Sequence, residues 1–435
     1  MRFARSKALS ARAHEIIPAG CHTYSKGDDQ FPELAPGFIE RADGSTVWDV
    51  DGNEFLDWGM GLRSVLLGYG HPRVLDAVRR QLEKGPNFTR PSPIEVELAE
   101  ELVATIPSAQ MVKFAKNGSD VTTAAVRLAR AFTGRDTVAF CQGPTFFSFD
   151  DWFIGTTPPN NGVPRPVSDL SLPFRYNDIA SLERIFEQHP DGVACVILEA
   201  ATLEHPRDEF LKRVRDLAHR HGALLILDEM ITGFRWHERG AQAYYGVTPD
   251  LSTFGKAIAN GFSVAVLAGR RDIMELGGLR HDKHKVFLLS STHGAETHSL
   301  AACLATVREV REKNVVPQLW KTGELLQSGM NKLAEQNGLS GIVSCEGISC
   351  SPFIVTRNQG READPAFRAL FLQEMVRRGV LIPYLAISAA HGPAEVERTL
   401  EAADGAFRVY RKALDEGVHK HLVGRPVKPV FRKYN

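Results

Sequence analysis

Apolar residues in this chain collect in short unbroken runs, and between the runs they recur at helical spacing. Leu224-Leu225-Ile226-Leu227 is one run, ending at Asp228-Glu229. Val193 to Leu198 is another, ending at Glu199, and Thr137 to Phe140 and Val264 to Ala268 have the same character. Short apolar segments between polar flanks predict strands buried on both faces, as in a parallel sheet. Phe210, Leu211, Val214, Leu217 and Ala218 mark one face of a crossover helix, with Gly222 as its stop signal. Val112 to Asp120 reads as strand, turn and helix start, and Val121, Ala124, Ala125, Leu128 and Ala129 continue that helix. Strand–helix–strand alternation of this kind predicts an α/β fold on a mostly parallel, doubly wound sheet.

The two ends of the chain carry a different pattern. Residues 1–18 read as a helix ending near Pro18, and Ile39 to Asp57 as short strands around turns at Asp43-Gly44 and Asp51-Gly52. A helix with Val74, Ala77, Val78 and Leu82 on one face follows, then another over Ile94 to Val103. Leu300, Ala301, Leu304, Val307 and Val310 mark a long helix leading into a C-terminal domain. Ser344 to Val355 reads as strands, Pro365 to Arg378 as a helix with Arg377-Arg378 at a solvated end, and Glu395 to Leu414 as the last helix. The basic tail from Val418 reads as a solvated arm.

Composition narrows the function. The 435 residues are enough for two or three domains, and 43% hydrophobic with 24% charged content supports a large core. Lys+Arg and Asp+Glu are both 52, so the basic excess of a general nucleic-acid binder is missing. No apolar run approaches the roughly 18 residues of a membrane span, and no apolar stretch follows Met1-Arg2-Phe3-Ala4-Arg5 as a signal peptide requires. The 6 cysteines are scattered, which fits reduced thiols in a cytoplasm. The 15 histidines show no metal-ligand spacing, so no metal is expected.

Asp228 lies at the carboxyl end of a predicted buried strand, where open α/β sheets bind ligands. Lys256 follows a second short apolar stretch, Pro249-Asp250-Leu251-Ser252-Thr253-Phe254-Gly255. An acid on one strand end and a lysine near another are what pyridoxal phosphate needs. The lysine forms the Schiff base, and the acid holds the ring nitrogen protonated. Taken singly, Asp228 also reads as a helix cap and Lys256 as a surface residue. Gly118-Ser119 opens a helix whose first amides and dipole favour an anion. Alone, that pair is equally a turn and cap.

Asp228 to Arg235, Gly240-Ala241-Gln242-Ala243-Tyr244-Tyr245-Gly246-Val247 and Pro249 to Lys256 together resemble the class III, fold-type I aminotransferases, and within them the glutamate-1-semialdehyde aminomutase branch. The resemblance spans about residues 10–415. It implies a large domain on a mostly parallel sheet of the seven-stranded type, with a smaller α+β domain from both termini. The expected divisions are 1–58, 59–294 and 295–435. It further implies that Gly118 and Ser119 cradle the cofactor phosphate and that Met230 lies at the cofactor. Anchored on Asp151-Trp152, Phe146-Phe147-Ser148 replaces the family's Tyr-His-Gly, so Phe146 would stack on the cofactor ring while the histidine and glycine are absent. Ser290-Ser291-Thr292 resembles the family's Gly-Thr loop, which implies that Thr292 reaches the phosphate of a neighbouring subunit in a homodimer.

The substrate end departs from the mutase pattern. Lys26 stands where the mutase has a carboxylate-binding arginine, and a lysine lacks the bidentate fork. Gly61-Leu62-Arg63-Ser64 replaces Ser-Trp-Gly-Pro and adds a cation, Arg63. Ile382 to His391 is shorter than the mutase loop and lacks its glutamate. Lys26, Arg63 and the strand-end Glu199 are therefore the expected substrate residues. The expectation is an aminotransferase moving an amino group from a small amino-acid donor such as glutamate to an aldehyde or ketone. The aminomutase is the alternative, and a non-catalytic binding protein of the same fold is a third reading that intact Asp228 and Lys256 oppose.

Overall fold

The computed structural model describes residues 1–434. The chain divides into two units, Met1–His71 with Pro317–Val430, and Pro72–Val316 with the last residues from Phe431. These boundaries stand where 58/59 and 294/295 were expected. Residues 59–71 stay with the first unit because main-chain hydrogen bonds tie them there: Gly44 with Tyr69 at 3.0 and 2.8 Å, and Ala389 to Leu66 at 2.8 Å. The helix Thr297–Glu312 stays with the second unit because it packs on the helices Pro72–Leu82 and Pro93–Thr105. Arg73 to Glu309 at 2.6 Å and Arg308 to Glu101 at 3.0 Å fasten that packing.

In the first unit, β1 (Ile39–Asp43), β2 (Thr46–Asp49) and β3 (Glu54–Asp57) form an antiparallel meander. The short strand Val380–Leu381 extends it in parallel beside β3. Trp58 is fully buried, stacks on His391 at 4.0 Å and donates its indole N–H to Thr399 at 2.8 Å. Asp57 accepts hydrogen bonds from the amides of Gly59 and Met60 and from the Tyr69 hydroxyl, at 2.8, 3.0 and 2.7 Å. These bonds hold an unusual turn. Met60, Gly61, Leu62 and Arg63 all have positive φ, at 42°, 57°, 60° and 70°, and the left-handed region is disfavoured for residues with a Cβ.

Two expectations for the C-terminal part change. Arg377 and Arg378 are not merely a solvated end. Both clamp the buried Glu374, at 2.8 and 2.7 Å, because a buried carboxylate needs partners. The tail is not a free arm either. The Val423 amide donates to the Gln373 side chain at 2.8 Å and that of Lys428 to the Asp29 carbonyl at 2.9 Å.

The second unit is built on seven strands: β4 (Met111–Ala115), β5 (Thr137–Gln142), β6 (Ser171–Arg175), β7 (Val193–Glu199), β8 (Leu224–Asp228), β9 (Leu251–Phe254) and β10 (Ala265–Gly269). Their order is β4-β10-β9-β8-β7-β5-β6. Only β10 runs against its neighbours, and every other pairing is parallel. β7 and β8 are buried along their whole length, as their unbroken apolar runs require. The helix Gly118–Thr133 lays Val121, Ala124, Ala125, Leu128 and Ala129 against this sheet. Each large aliphatic side chain so buried contributes roughly 1.5–3 kcal/mol. The sheet is thus the expected mostly parallel α/β platform, and the carboxyl ends of β7, β8 and β9 lie side by side.

Candidate active site

The register of the parallel strands sets the site. Asp228 on β8 is the direct cross-strand neighbour of Glu199 on β7 and of Thr253 on β9. Asp228 is buried, and its Oδ1 accepts from the Met230 amide at 2.9 Å and the Thr253 hydroxyl at 3.1 Å. Its Oδ2 is equally buried and has no hydrogen-bond partner. Burial pushes this carboxyl up to about 6, while the charge of Lys256 and the two donors pull it down. A buried acceptor left unpaired is costly and calls for a donor from outside the protein. A protonated pyridine nitrogen is such a donor, so the residues present fit pyridoxal phosphate.

Lys256 lies just beyond β9 and opens the short turn Lys256–Ala259. Its φ is +45°, a strained value for a residue with a side chain. Met230 links this turn to the start of the helix Gly118–Thr133. A Cβ on Gly118 would meet the Met230 sulfur at 2.9 Å, and one on Gly255 would meet it at 2.6 Å. Glycine at both positions lets Met230 fill the floor between them.

Glu229, next to the acid, has a structural task that the sequence does not announce. It is fully buried and accepts from the Ala241 and Gln242 amides at 2.7 and 2.9 Å and from the Thr232 hydroxyl at 2.7 Å. Burial raises its carboxyl and these donors lower it. Its own amide donates to the Thr253 carbonyl at 2.8 Å, extending the β8–β9 pairing past Asp228. Glu229 and Thr253 are the site residues that sequence reading missed. No signal in the sequence points to Thr253, because its place beside Asp228 depends on strand register.

The other expected residues fall in three places. Ser119 is buried at the start of the Gly118–Thr133 helix, and its Oγ accepts from the Phe149 amide at 3.0 Å, which leaves its own proton to donate. Phe146 is 45% exposed and lies edge-on to Phe153 at 5.8 Å and stacked with Phe431 of the tail at 6.2 Å. Thr292 is exposed, with its carbonyl accepting from the Asn87 side chain at 3.0 Å. Asp228, Glu199, Met230, Lys256, Gly118 and Ser119 therefore gather about the strand ends of the second unit. Lys26 and Arg63 belong to the first unit. Lys26 is exposed at the end of the turn Tyr24–Lys26, and Arg63 donates to the Ser351 hydroxyl at 3.2 Å.

Residues 26–385 match the family model described as aminotransferase class-III. The chain belongs to the class III aminotransferases. This aminotransferase is 33% identical over 94% of its length to a glutamate-1-semialdehyde 2,1-aminomutase of Desulforamulus reducens, covering 99% of that protein. It superposes on the FumI protein of Sphingopyxis sp. MTA144, solved with pyridoxal phosphate, with a TM-score of 0.87 and 29% identity, covering 96% of this chain and 100% of the other. An omega-transaminase from Sphaerobacter thermophilus gives a TM-score of 0.82 and 27% identity, over 94% and 98% of the two chains. The enzyme is a fold-type I, pyridoxal-phosphate-dependent aminotransferase, of a family that acts on small amino donors and carbonyl acceptors.

The unpaired oxygen has a consequence for the protein without cofactor. The folded Asp228 carboxyl titrates above its ordinary value of 3.8, at about 6. Its contribution to stability is therefore full below about pH 4 and lost as the pH rises through about 6. Asp228→Asn should remove that loss. At pH 8 the variant apoprotein should be more stable than wild type by on the order of 2 kcal/mol, with the gap closing below pH 4. Urea denaturation at the two pH values measures it, and equal midpoints at pH 8 would contradict the assignment.

Proposed function

We propose that this enzyme transfers an amino group between two separate substrates, using Lys256 and Asp228 as its central pair. The observation that supports the chemistry of this pair most is the buried Asp228 Oδ2 without a donor, together with the Lys256 charge acting on the same carboxyl. Pyridoxal phosphate, when bound, supplies a carbonyl that condenses with amines and a ring that accepts electrons from the substrate carbon. Lys256 would hold the cofactor through its Nζ. As a free amine, Nζ then takes and returns the substrate proton. Asp228 Oδ2 would accept from a protonated ring nitrogen, a charge-assisted bond of roughly 1.5–3 kcal/mol. Gly118, Ser119 and the helix start hold the phosphate. Met230, packed between Gly118 and Gly255, and the partly exposed Phe146 would line the cofactor site.

The substrate end separates this reading from the aminomutase. The name carried by the 33% identical relative favours the mutase, and it remains the second reading. Moving nitrogen within one molecule demands a tight grip on its carboxylate and a gate that retains the intermediate. Lys26 is exposed and offers a point charge in place of a guanidinium fork. Ile382 to His391 carries no acid to serve as a gate. Arg63 adds a cation suited to an anionic donor such as glutamate or to a phosphorylated or carboxylated acceptor, and Glu199 stands beside Asp228 as a further substrate contact. The acceptor class we assign, a keto sugar or another biosynthetic carbonyl compound, rests on family resemblance. Thr292, exposed in the single chain, supports a homodimer in which each subunit completes the other's phosphate site. Six scattered thiols, none in a disulfide among the described residues, support a cytoplasmic enzyme.

Three outcomes test this reading. Lys256→Ala should fold and bind the cofactor non-covalently yet lose transamination, and borohydride should fix the cofactor of wild type on the peptide bearing Lys256. Labelling of another lysine would remove Lys256 from its role. Enzyme loaded with amino groups by glutamate should aminate a carbonyl compound from a panel of keto sugars and keto acids. It should also form no 5-aminolevulinate from glutamate-1-semialdehyde, whereas sustained formation without a donor would establish the mutase. In sedimentation the active species should be a dimer at assay concentration, and mixing Lys256→Ala with Thr292→Ala subunits should change activity through hybrids. A fully active monomer rules out shared sites.

A further inference from the structure

We propose that Thr253 is the positioning residue of Asp228: its hydroxyl engages Oδ1, so that Oδ2 alone is offered to the cofactor ring. The inference rests on the role assigned to Asp228 above. Thr253 is fully buried on β9 and is the direct cross-strand neighbour of Asp228, so both side chains leave the sheet on the same face. Its Oγ donates to Oδ1 at 3.1 Å, and the Met230 amide donates to the same oxygen at 2.9 Å. Two donors converge on one oxygen while the other, buried beside it, receives none. A carboxylate free to rotate about its last torsion would present either oxygen. Two donors fixed to main-chain positions remove that freedom.

Threonine suits this task better than a longer hydroxyl-bearing or amide side chain. Branching at Cβ restricts the first torsion, and a strand between two neighbours restricts it further. The hydroxyl direction is then set by the backbone of β9. The same strand leads directly into Lys256. One strand therefore carries the lysine and the group that orients the acid, and any movement of β9 displaces both together. Burial raises the Asp228 carboxyl, and the Thr253 hydroxyl is among the groups that lower it. A bland alternative exists: Thr253 is a β-branched residue filling a central strand, and valine would serve equally well.

Holoenzymes of wild type, Thr253→Val, Thr253→Ser and Asp228→Asn distinguish these. Two readouts are needed: the visible absorbance titrated against pH, and the cofactor Kd from fluorescence titration of apoprotein. Glu199 on β7 and Lys256 are unchanged in all four. Thr253→Val should weaken cofactor binding about tenfold, the loss expected for one hydrogen bond to a charged group. It should also raise the absorbance midpoint toward that of Asp228→Asn, since a less firmly held ring proton leaves a more basic group at Lys256. Thr253→Ser should restore both to within about threefold of wild type, by the same hydrogen bond. If Thr253→Val does not fold, Thr253→Cys, with its weak donor, takes its place with the same expected outcomes. A valine variant matching wild type in both readouts, beside an impaired Asp228→Asn, overturns the inference and leaves the role of Asp228 standing. An Asp228→Asn holoenzyme that matches wild type removes that role, and this inference with it.

Discussion

A single carboxylate oxygen, Asp228 Oδ2, is buried at the end of β8 with no donor in reach, and much of the second unit is arranged around that fact. In a low-dielectric interior such an atom is an unmet demand. The neighbouring elements keep it unmet within the chain. Oδ1 absorbs the two local donors, and the amides of Ala241 and Gln242 are taken up by the neighbouring Glu229. Glycines at 118 and 255 admit the Met230 sulfur without opening the floor. The protein thus carries a local instability that a cofactor relieves, a common trade between stability and function.

Much of this was legible in the sequence because it follows from continuous burial. The runs ending at Glu199 and Asp228 are apolar at every position, and only a central parallel strand demands that. The acid stands at the polar break after such a run, whereas the lysine, after the mixed segment Leu251–Gly255, was legible through the family resemblance of Pro249 to Lys256. The role of Thr253 was not. It depends on β8 and β9 being paired so that residue 228 meets residue 253, and register between strands separated by a loop leaves no mark in either strand. Glu229 was hidden for a related reason, since its partners lie beyond Gly240 and form a short turn with little periodicity of its own.

The domain divisions shifted for reasons of packing. Apolar spacing marks Thr297–Glu312 as a helix but not which unit receives its buried face. The left-handed run Met60–Arg63 was equally invisible, because only one glycine stands among four residues of positive φ. There the conformation is imposed by Asp57, whose carboxylate gathers two amides and a tyrosine hydroxyl and is raised by its own burial. Local propensity opposes that turn and tertiary hydrogen bonding overrides it. Departures of this kind tend to mark functional segments, which is consistent with Arg63 ending the run.

The docked tail bears on how the protein is handled. Chain ends are usually the safest places for additions because they are untethered. Here the carboxyl end is tethered at Val423 and Lys428 and places Phe431 against Phe146. Cutting the chain before Val423 would leave the Gln373 side-chain oxygen without that donor and Phe146 without the ring it stacks on.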